Sequence, residues 1–302
     1  MTQRIRVCLF ATLIALSGCQ KKPATPPAEP AAAKPAAPTA PASTAASAPA
    51  EATPAAAPTT TSAVPTVAPT PVAGELPIIA KARAYVGTEA ALNRVQSLHY
   101  VGTLVTTDPT DPKKQTRATV EIIIQKPEQQ RVTIKSDKTI ETTALDDYDG
   151  WTRTTAVSDP KKWQQTILNA DGVRRLRANT WENVAFYRGI ESDGGEVRDD
   201  GTKTIDGVTC EKVAFIHAPS IIFYRYFDVK TGRLVYSETE SGGSIRQQGD
   251  YVVDGLRLPK SIITVSKSAT GQTQNVTITF DKITVNEKFP ESDFAVPSLA
   301  NE

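Results

Sequence analysis

Two Asp-Gly pairs, each held between short apolar or β-branched runs, constrain this chain more than any other feature. They are Ile205-Asp206-Gly207-Val208 and Val253-Asp254-Gly255-Leu256. Such a pair accepts the two positive φ values of a tight turn whose twist matches antiparallel strands, so each predicts a β-hairpin. A third hairpin is expected at Phe227 to Leu234, a four-residue loop in which Gly232 suits a left-handed position. Upstream, Tyr100 to Val105, Thr119 to Gln125, Arg131 to Lys135 and Thr139 to Leu145 are rich in strand-forming residues. Leu256 to Lys267 and Gln274 to Val285 complete the series. The pattern predicts about eleven strands, nearly all joined as hairpin neighbours.

Helix is expected at two places. Ile79, Ala82 and Val86, then Leu92, Val95 and Leu98, recur at helical spacing, with Gly87-Thr88 as a break and restart. Further on, Asp159-Pro160 reads as a helix start, and Val173, Leu176, Trp181 and Val184 fall on one helical face. The expected class is therefore mainly β with some α. It is an antiparallel sheet preceded by helix, with one or two short helices between its strands.

The folding pattern does not begin at residue 1. Arg4 and Arg6 precede an apolar run, Val7 to Leu16, of roughly half the ~20 residues that span a bilayer. Basic residues, a short apolar core and small residues make a secretory signal. The run ends in Leu16-Ser17-Gly18-Cys19, which resembles the lipobox of bacterial lipoprotein signal peptides. The resemblance implies cleavage after residue 18, lipid on Cys19, and a mature protein moored to a membrane from the periplasmic side. Gln20 in place of Asp leans the expectation to the outer membrane over the inner.

From residue 19 to about 75 the chain is Ala, Pro, Thr and Ser. Thirteen of its 22 prolines lie between Pro23 and Pro71, and no Phe, Trp or Tyr occurs between Phe10 and Tyr85. Such a stretch cannot bury enough apolar surface to offset the entropy of ordering it. It is expected to be an extended tether, with residues 76–302 as one folded domain.

Composition and motifs argue against several functions. The formal charge is +1, and losing Arg4 and Arg6 with the signal takes it to −1, so nothing draws the chain to nucleic acid. Cys8 leaves with the signal and Cys19 carries lipid, which leaves Cys210 as a small buried hydrophobe without a disulfide partner. The two histidines, His99 and His217, stand apart, and no cluster of metal ligands is visible. No nucleophile elbow, phosphate loop or dinucleotide fingerprint occurs. No catalytic residue, metal or cofactor is expected, and the chain is not expected to be an enzyme.

What remains is apolar pattern on both faces of a strand. In Ile221 to Phe227 one face carries Ile222, Tyr224 and Tyr226, and the other Ile221, Phe223, Arg225 and Phe227. A sheet with one wet face shows clean alternation. Here both faces need cover, or one lines a cavity.

Together the order of elements resembles the LolA/LolB-like family of periplasmic lipoprotein carriers. The resemblance rests on the helix ending near Leu98, Gly102, Tyr148-Asp149-Gly150-Trp151, the helical insert near 173 to 188, the turn at 205 to 208, Tyr226-Phe227-Asp228, Gly249-Asp250-Tyr251, Leu258-Pro259, and Phe294 with Val296-Pro297. It implies a curved, unclosed antiparallel β-barrel with helices lying over its mouth as a lid. It also implies a concave hollow, left unfilled by the protein's own side chains, that holds lipid or lipoprotein acyl chains. The expected cavity or lid residues are Trp151, Trp163, Trp181, Phe186, Ile222, Tyr224 and Tyr226. The implied partners are lipid acyl chains or lipoproteins, with a role in lipoprotein sorting or envelope lipid handling. The alternative is a structural or sensing module of the same fold whose filled interior leaves the outer surface to bind a protein.

Overall fold

The computed structural model describes residues 74–108, 111, 113–267 and 273–298. The apolar leader, Cys19 and the Ala/Pro-rich stretch lie outside the described residues. Two short helices open the fold, α1 (Pro77–Val86) and α2 (Glu89–Arg94). Gly87 ends the first, its N–H donating to the Arg83 carbonyl at 2.9 Å. Thr88 starts the second, its hydroxyl accepting from Ala91 N at 3.2 Å. This is the break and restart expected from Gly87-Thr88.

Among the described residues the strands form one antiparallel sheet of thirteen. The first six are β1 (Ser97–Thr107), β2 (Gln115–Gln125), β3 (Gln129–Lys135), β4 (Thr139–Asp146), β5 (Asp149–Ala156) and β6 (Asp159–Ile167). After α3 (Ala170–Val184) come β7 (Glu196–Ile205), β8 (Val208–Ala218), β9 (Ile221–Asp228), β10 (Leu234–Thr239), β11 (Ser244–Val253), β12 (Leu256–Lys267) and β13 (Thr273–Val285). In space the order is β6-β5-β4-β3-β2-β1-β13-β12-β11-β10-β9-β8-β7. The chain thus starts in the middle, steps by hairpins to one edge, crosses to the far edge and steps back to pair β13 with β1. Both Asp-Gly turns form as expected, with φ of 48° and 82° at Asp206 and Gly207 and of 49° and 78° at Asp254 and Gly255. Gly232 takes φ 77°.

The sheet is curled. Thr180 and Glu182, two residues apart on α3, reach Gln130 on β3 and Arg225 on β9 respectively. Seven strand spacings separate β3 from β9 in the sheet order. Laid flat they would lie about 34 Å apart, and one helix could not touch both. Strands β6 and β7 do not pair with each other, so the barrel stays open. The only connection between the two edges carries α3 across the concave side.

One expected element is corrected. Asp159-Pro160 does not start a helix; it opens the edge strand β6. The Asp159 carboxylate caps Lys161 N at 3.2 Å, the same local chemistry serving a hairpin turn. The helix begins at Ala170, where Asn169 Oδ1 accepts from Gly172 N at 2.9 Å. This extra strand is one reason the sheet has thirteen strands instead of about eleven.

Two large apolar clusters lie on the concave side. One joins Leu98, Tyr100, Val120, Val132, Ile278 and Phe280 of the central strands to Leu92 of α2 and to Val184 and Phe186 after α3. The other joins Val213, Phe215, Ile221, Phe223 and Phe227 to Ile79 and Ala82 of α1 and Ala178 of α3. Among the described residues no helix is long and apolar enough to cross a membrane.

Candidate functional site

The candidate site is the concave face beneath α3. The helix is buried on two sides: Val173, Leu176, Thr180 and Val184 lie along one, Ala178 and Glu182 along the other. Leu176 is fully buried and packs with Val173 and Leu145 of β4. Trp181 lies 6.0 Å from the Phe215 ring and 5.2 Å from His217.

Polar contacts fasten this helix to both wings of the sheet. On the β3–β4 side, Gln130 Oε1 accepts from Thr180 Oγ1 and Asn179 Nδ2, each at 3.1 Å. At the rim there, Arg177 donates to Glu128 Oε1 and Asp147 Oδ1 at 2.6 Å. Burial, with Asp147 beside it, pushes the Glu128 carboxyl above its ordinary range while Arg177 opposes the shift. On the opposite rim Arg175 donates to the Ser220 carbonyl at 3.1 Å and pairs with Glu240. Arg175 and Arg177 of α3 are therefore spent on the two wings, while Arg174 pairs with Asp171 of its own helix.

Deeper down, Glu182 enters the apolar interior with its side chain wholly buried. Its Oε2 accepts from Arg225 Nε at 2.9 Å and Nη2 at 2.7 Å, and its Oε1 lies 2.9 Å from His217 Nε2. Arg225 also donates to Ser237 Oγ at 2.8 Å. A buried ion pair of this kind contributes little net stability, because desolvation offsets the attraction.

The chain leaves α3 through a strained turn. Phe186 and Tyr187 both hold positive φ, 49° and 71°, a conformation that L side chains disfavour by about 1–2 kcal/mol each. The buried guanidinium of Arg83 on α1 clamps this turn, donating to the Ala185 and Phe186 carbonyls at 3.2 and 2.8 Å while Glu89 holds its other edge. The reversal sends Phe186 into the central cluster and Tyr187 against Phe227, 5.0 Å between rings. Burial pushes the Tyr187 hydroxyl up to about 12.

Of the seven expected site residues, Trp181 and Phe186 lie on this concave side. The other five face away from it. Arg225 points to α3, so Ile222, Tyr224 and Tyr226, which alternate with it, point outward. There Tyr226 and Tyr224 form a convex cluster with Cys210, Val235 and Tyr236. Lys212 sits 4.0 Å over Tyr224 and Arg246 4.9 Å over Tyr236. Trp151 pairs with Ala144 on the convex side and donates to the Phe294 carbonyl at 2.8 Å. Trp163 is 36% exposed on the edge strand, with Arg153 stacked 4.6 Å over it. The two-faced strand told that both sides are covered, but alternation alone carries no sign for inward and outward. The residues missed are Glu182, Arg225, His217 and Tyr187. A signal existed: Arg225 shares a face with Phe223 and Phe227, and a charge on a buried face needs a partner on the covering element.

The expected hollow is also corrected. Phe215 and Phe227 are fully buried, and Phe223 is 8% exposed, under α1 and α3. A hollow of about 430 Å³ lies at the sheet end beside α2, lined by Arg94, Asp254, Leu256 and Asn286 among others. The described residues bring no three His, Cys, Asp or Glu side chains together as metal ligands.

No protein-family model matches the sequence, and no curated protein matches it. Solved structures do resemble it. A LolA superfamily protein from Nitrosomonas europaea is 13% identical, with a TM-score of 0.47 over 72% of this chain and 96% of that one. A DUF1329 family protein from Desulfovibrio piger is 7% identical, with a TM-score of 0.46 over 72% of this chain and 95% of that one. A putative outer membrane lipoprotein-sorting protein domain from Vibrio parahaemolyticus is 7% identical, with a TM-score of 0.46 over 72% and 94%.

Proposed function

We propose that this is a membrane-moored periplasmic protein that takes up lipid or lipoprotein acyl chains between α3 and the concave face of its open barrel. The observation that carries the reading is the nature of the cover. A wide apolar sheet face is covered by α1, α2 and α3, and α3 is fastened to both wings by side-chain contacts, at its rims and beneath it, that can be broken separately. An acyl chain entering there replaces the inward residues of α3, chiefly Val173, Leu176 and Val184, with apolar surface of its own. Each CH₂ removed from water contributes about 0.8 kcal/mol, so a twelve-carbon chain brings on the order of 9 kcal/mol toward displacing the helix. The site needs shape and apolar area and no catalytic group. The tether and the Cys19 anchor would hold the barrel near its cargo's membrane.

The test is native mass spectrometry of the full chain after incubation with defined fatty acids. The reading expects discrete one-to-one adducts that survive desalting. A chain that stays bare at concentrations well above micromolar contradicts it.

A second reading has an observation of its own. The concave side is filled by the protein's side chains, down to fully buried Phe215 and Phe227. A body so filled suits a structural or envelope-sensing module that binds a protein partner on its outside. Under that reading α3 never lifts, and its backbone amides exchange only by global unfolding.

A further inference from the structure

We infer that Arg225, His217 and Ser237 form a site for the anionic head of a single-chain amphiphile, a carboxylate or phosphate, and that Glu182 fills this site as an internal substitute until such a ligand displaces it. The inference rests on the acyl-chain reading and names the chemistry of its cargo. The recognising groups all belong to the sheet: His217 on β8, Arg225 on β9 and Ser237 on β10. The anion alone belongs to the lid. Arg225 presents two edges of its guanidinium, Nε and Nη2 at 2.9 and 2.7 Å from Glu182 Oε2 and Nη1 at 2.8 Å from Ser237 Oγ. His217 Nε2 lies 2.9 Å from the other carboxylate oxygen. A planar donor fork is suited to carboxylate and phosphate oxygens alike.

Position strengthens the case. The Arg225 and His217 side chains are each 11% exposed, and that of Glu182 is 0% exposed. Aromatic rings wall the group: Trp181 stands 5.2 Å from His217, Phe223 5.6 Å from it, and the Arg225 guanidinium lies 5.4 Å over Phe223. Lifting α3 takes the carboxylate away and leaves a guanidinium facing an apolar interior with Ser237 Oγ as its remaining partner and no counter-charge. An amphiphile that brings its own anion removes that penalty as its chain enters the space α3 has left. A neutral amphiphile does not. Glu182 thus makes opening conditional on the charge of the incoming head. It also accounts for a buried ion pair where an apolar pair of equal volume would stabilise the lid at least as well.

Isothermal titration of the full chain with dodecanoate, dodecyl phosphate and monolauroylglycerol, each below its critical micelle concentration, tests the idea. The wild type should bind the two anions at least tenfold more tightly than the neutral ester. A preference for dodecanoate points to a fatty-acid carboxylate and a preference for dodecyl phosphate to a phospholipid-type head, and either supports the site. Glu182→Gln keeps the hydrogen bonding but removes the competing charge, so both anions should gain about tenfold while the ester stays unchanged. The pair Arg225→Gln with Glu182→Gln leaves no buried charge unmatched; it should retain the ester and lose the preference. Equal binding of all three by the wild type, a preference that survives in the double variant, or no gain in Glu182→Gln overturns the head-group site while leaving acyl-chain uptake standing. Binding of none of the three by any variant overturns both.

Discussion

Replacing Arg225 by Met separates a lid that is seated from one that is not. In the wild type the Glu182 carboxylate is 0% exposed and makes two of its contacts to Arg225. The substitution leaves it with His217 alone, inside an aromatic wall. Breaking a buried pair by removing one partner costs about 3–5 kcal/mol, because the remaining charge is desolvated without compensation. For a folded body of this size 1 kcal/mol moves Tm by about 2–4 °C, so a loss of about 6–20 °C is expected. The control is Arg225→Met combined with Glu182→Leu, which removes both charges at similar volume. That variant should return to within about 2 kcal/mol of wild type or exceed it. Differential scanning calorimetry at pH 7, supported by urea unfolding with an unchanged slope, reads both. A single variant within about 1 kcal/mol of wild type would refute the reasoning. It would mean that the Glu182 carboxylate is hydrated in solution and that α3 does not rest on β9.

Three further outcomes are expected. Gly232→Ala forces a Cβ to within 2.5 Å of the Lys81 carbonyl at φ 77°, so α1 must shift. It should destabilise by about 1–3 kcal/mol in the same calorimeter, and no change would mean that α1 is not docked on the β9–β10 turn. Trp151→Phe removes the hydrogen bond to the Phe294 carbonyl, costing about 0.5–1.5 kcal/mol. Hydrogen exchange across residues 286–298 should quicken, and unchanged protection there would contradict the role given to that bond. Acid should loosen the lid turn. The hydrogen bond from Arg83 holds the Glu89 carboxyl below its ordinary value of 4.5, and Arg83 clamps the turn at Phe186. A lowered carboxyl contributes stability that is complete above 4.5 and is lost as pH falls below it. Glu89→Gln should therefore be less stable at pH 7 and lose stability less steeply between pH 4.5 and 3; an acid limb as steep as the wild type's would show that Glu89 does not carry the effect.

Much of the fold could be read from turns. The Asp-Gly pairs, Gly232 and the Gly87-Thr88 restart are local devices, and local devices are legible because a few neighbouring residues decide them. The helix over Val173, Leu176 and Val184 was legible for a similar reason, its spacing. Asp159-Pro160 misled because cap chemistry serves a helix and a hairpin turn equally. The site was harder. Which face of β9 turns inward depends on the direction of the sheet's curl, and no property of Ile221 to Phe227 sets that direction. Nor does a filled interior differ in sequence from an empty one, since Phe215 and Phe227 would line a hollow with the same side chains that plug it. The pairing of Glu182 with Arg225 spans 43 residues and two elements. One half of it was in view, as a lone arginine on an apolar face.

The central claim, that an acyl chain lies between α3 and the concave face, is tested most directly by photo-crosslinking. The full chain would be irradiated with a fatty acid carrying a terminal diazirine, digested and sequenced by mass spectrometry. The account predicts adducts on inward residues of α3 and of the facing strands, such as Leu176, Val184, Phe186, Phe215 or Phe223. Labelling confined to Tyr224, Tyr226, Trp151 or Trp163, all on the other side of the sheet, or no saturable labelling, would contradict it.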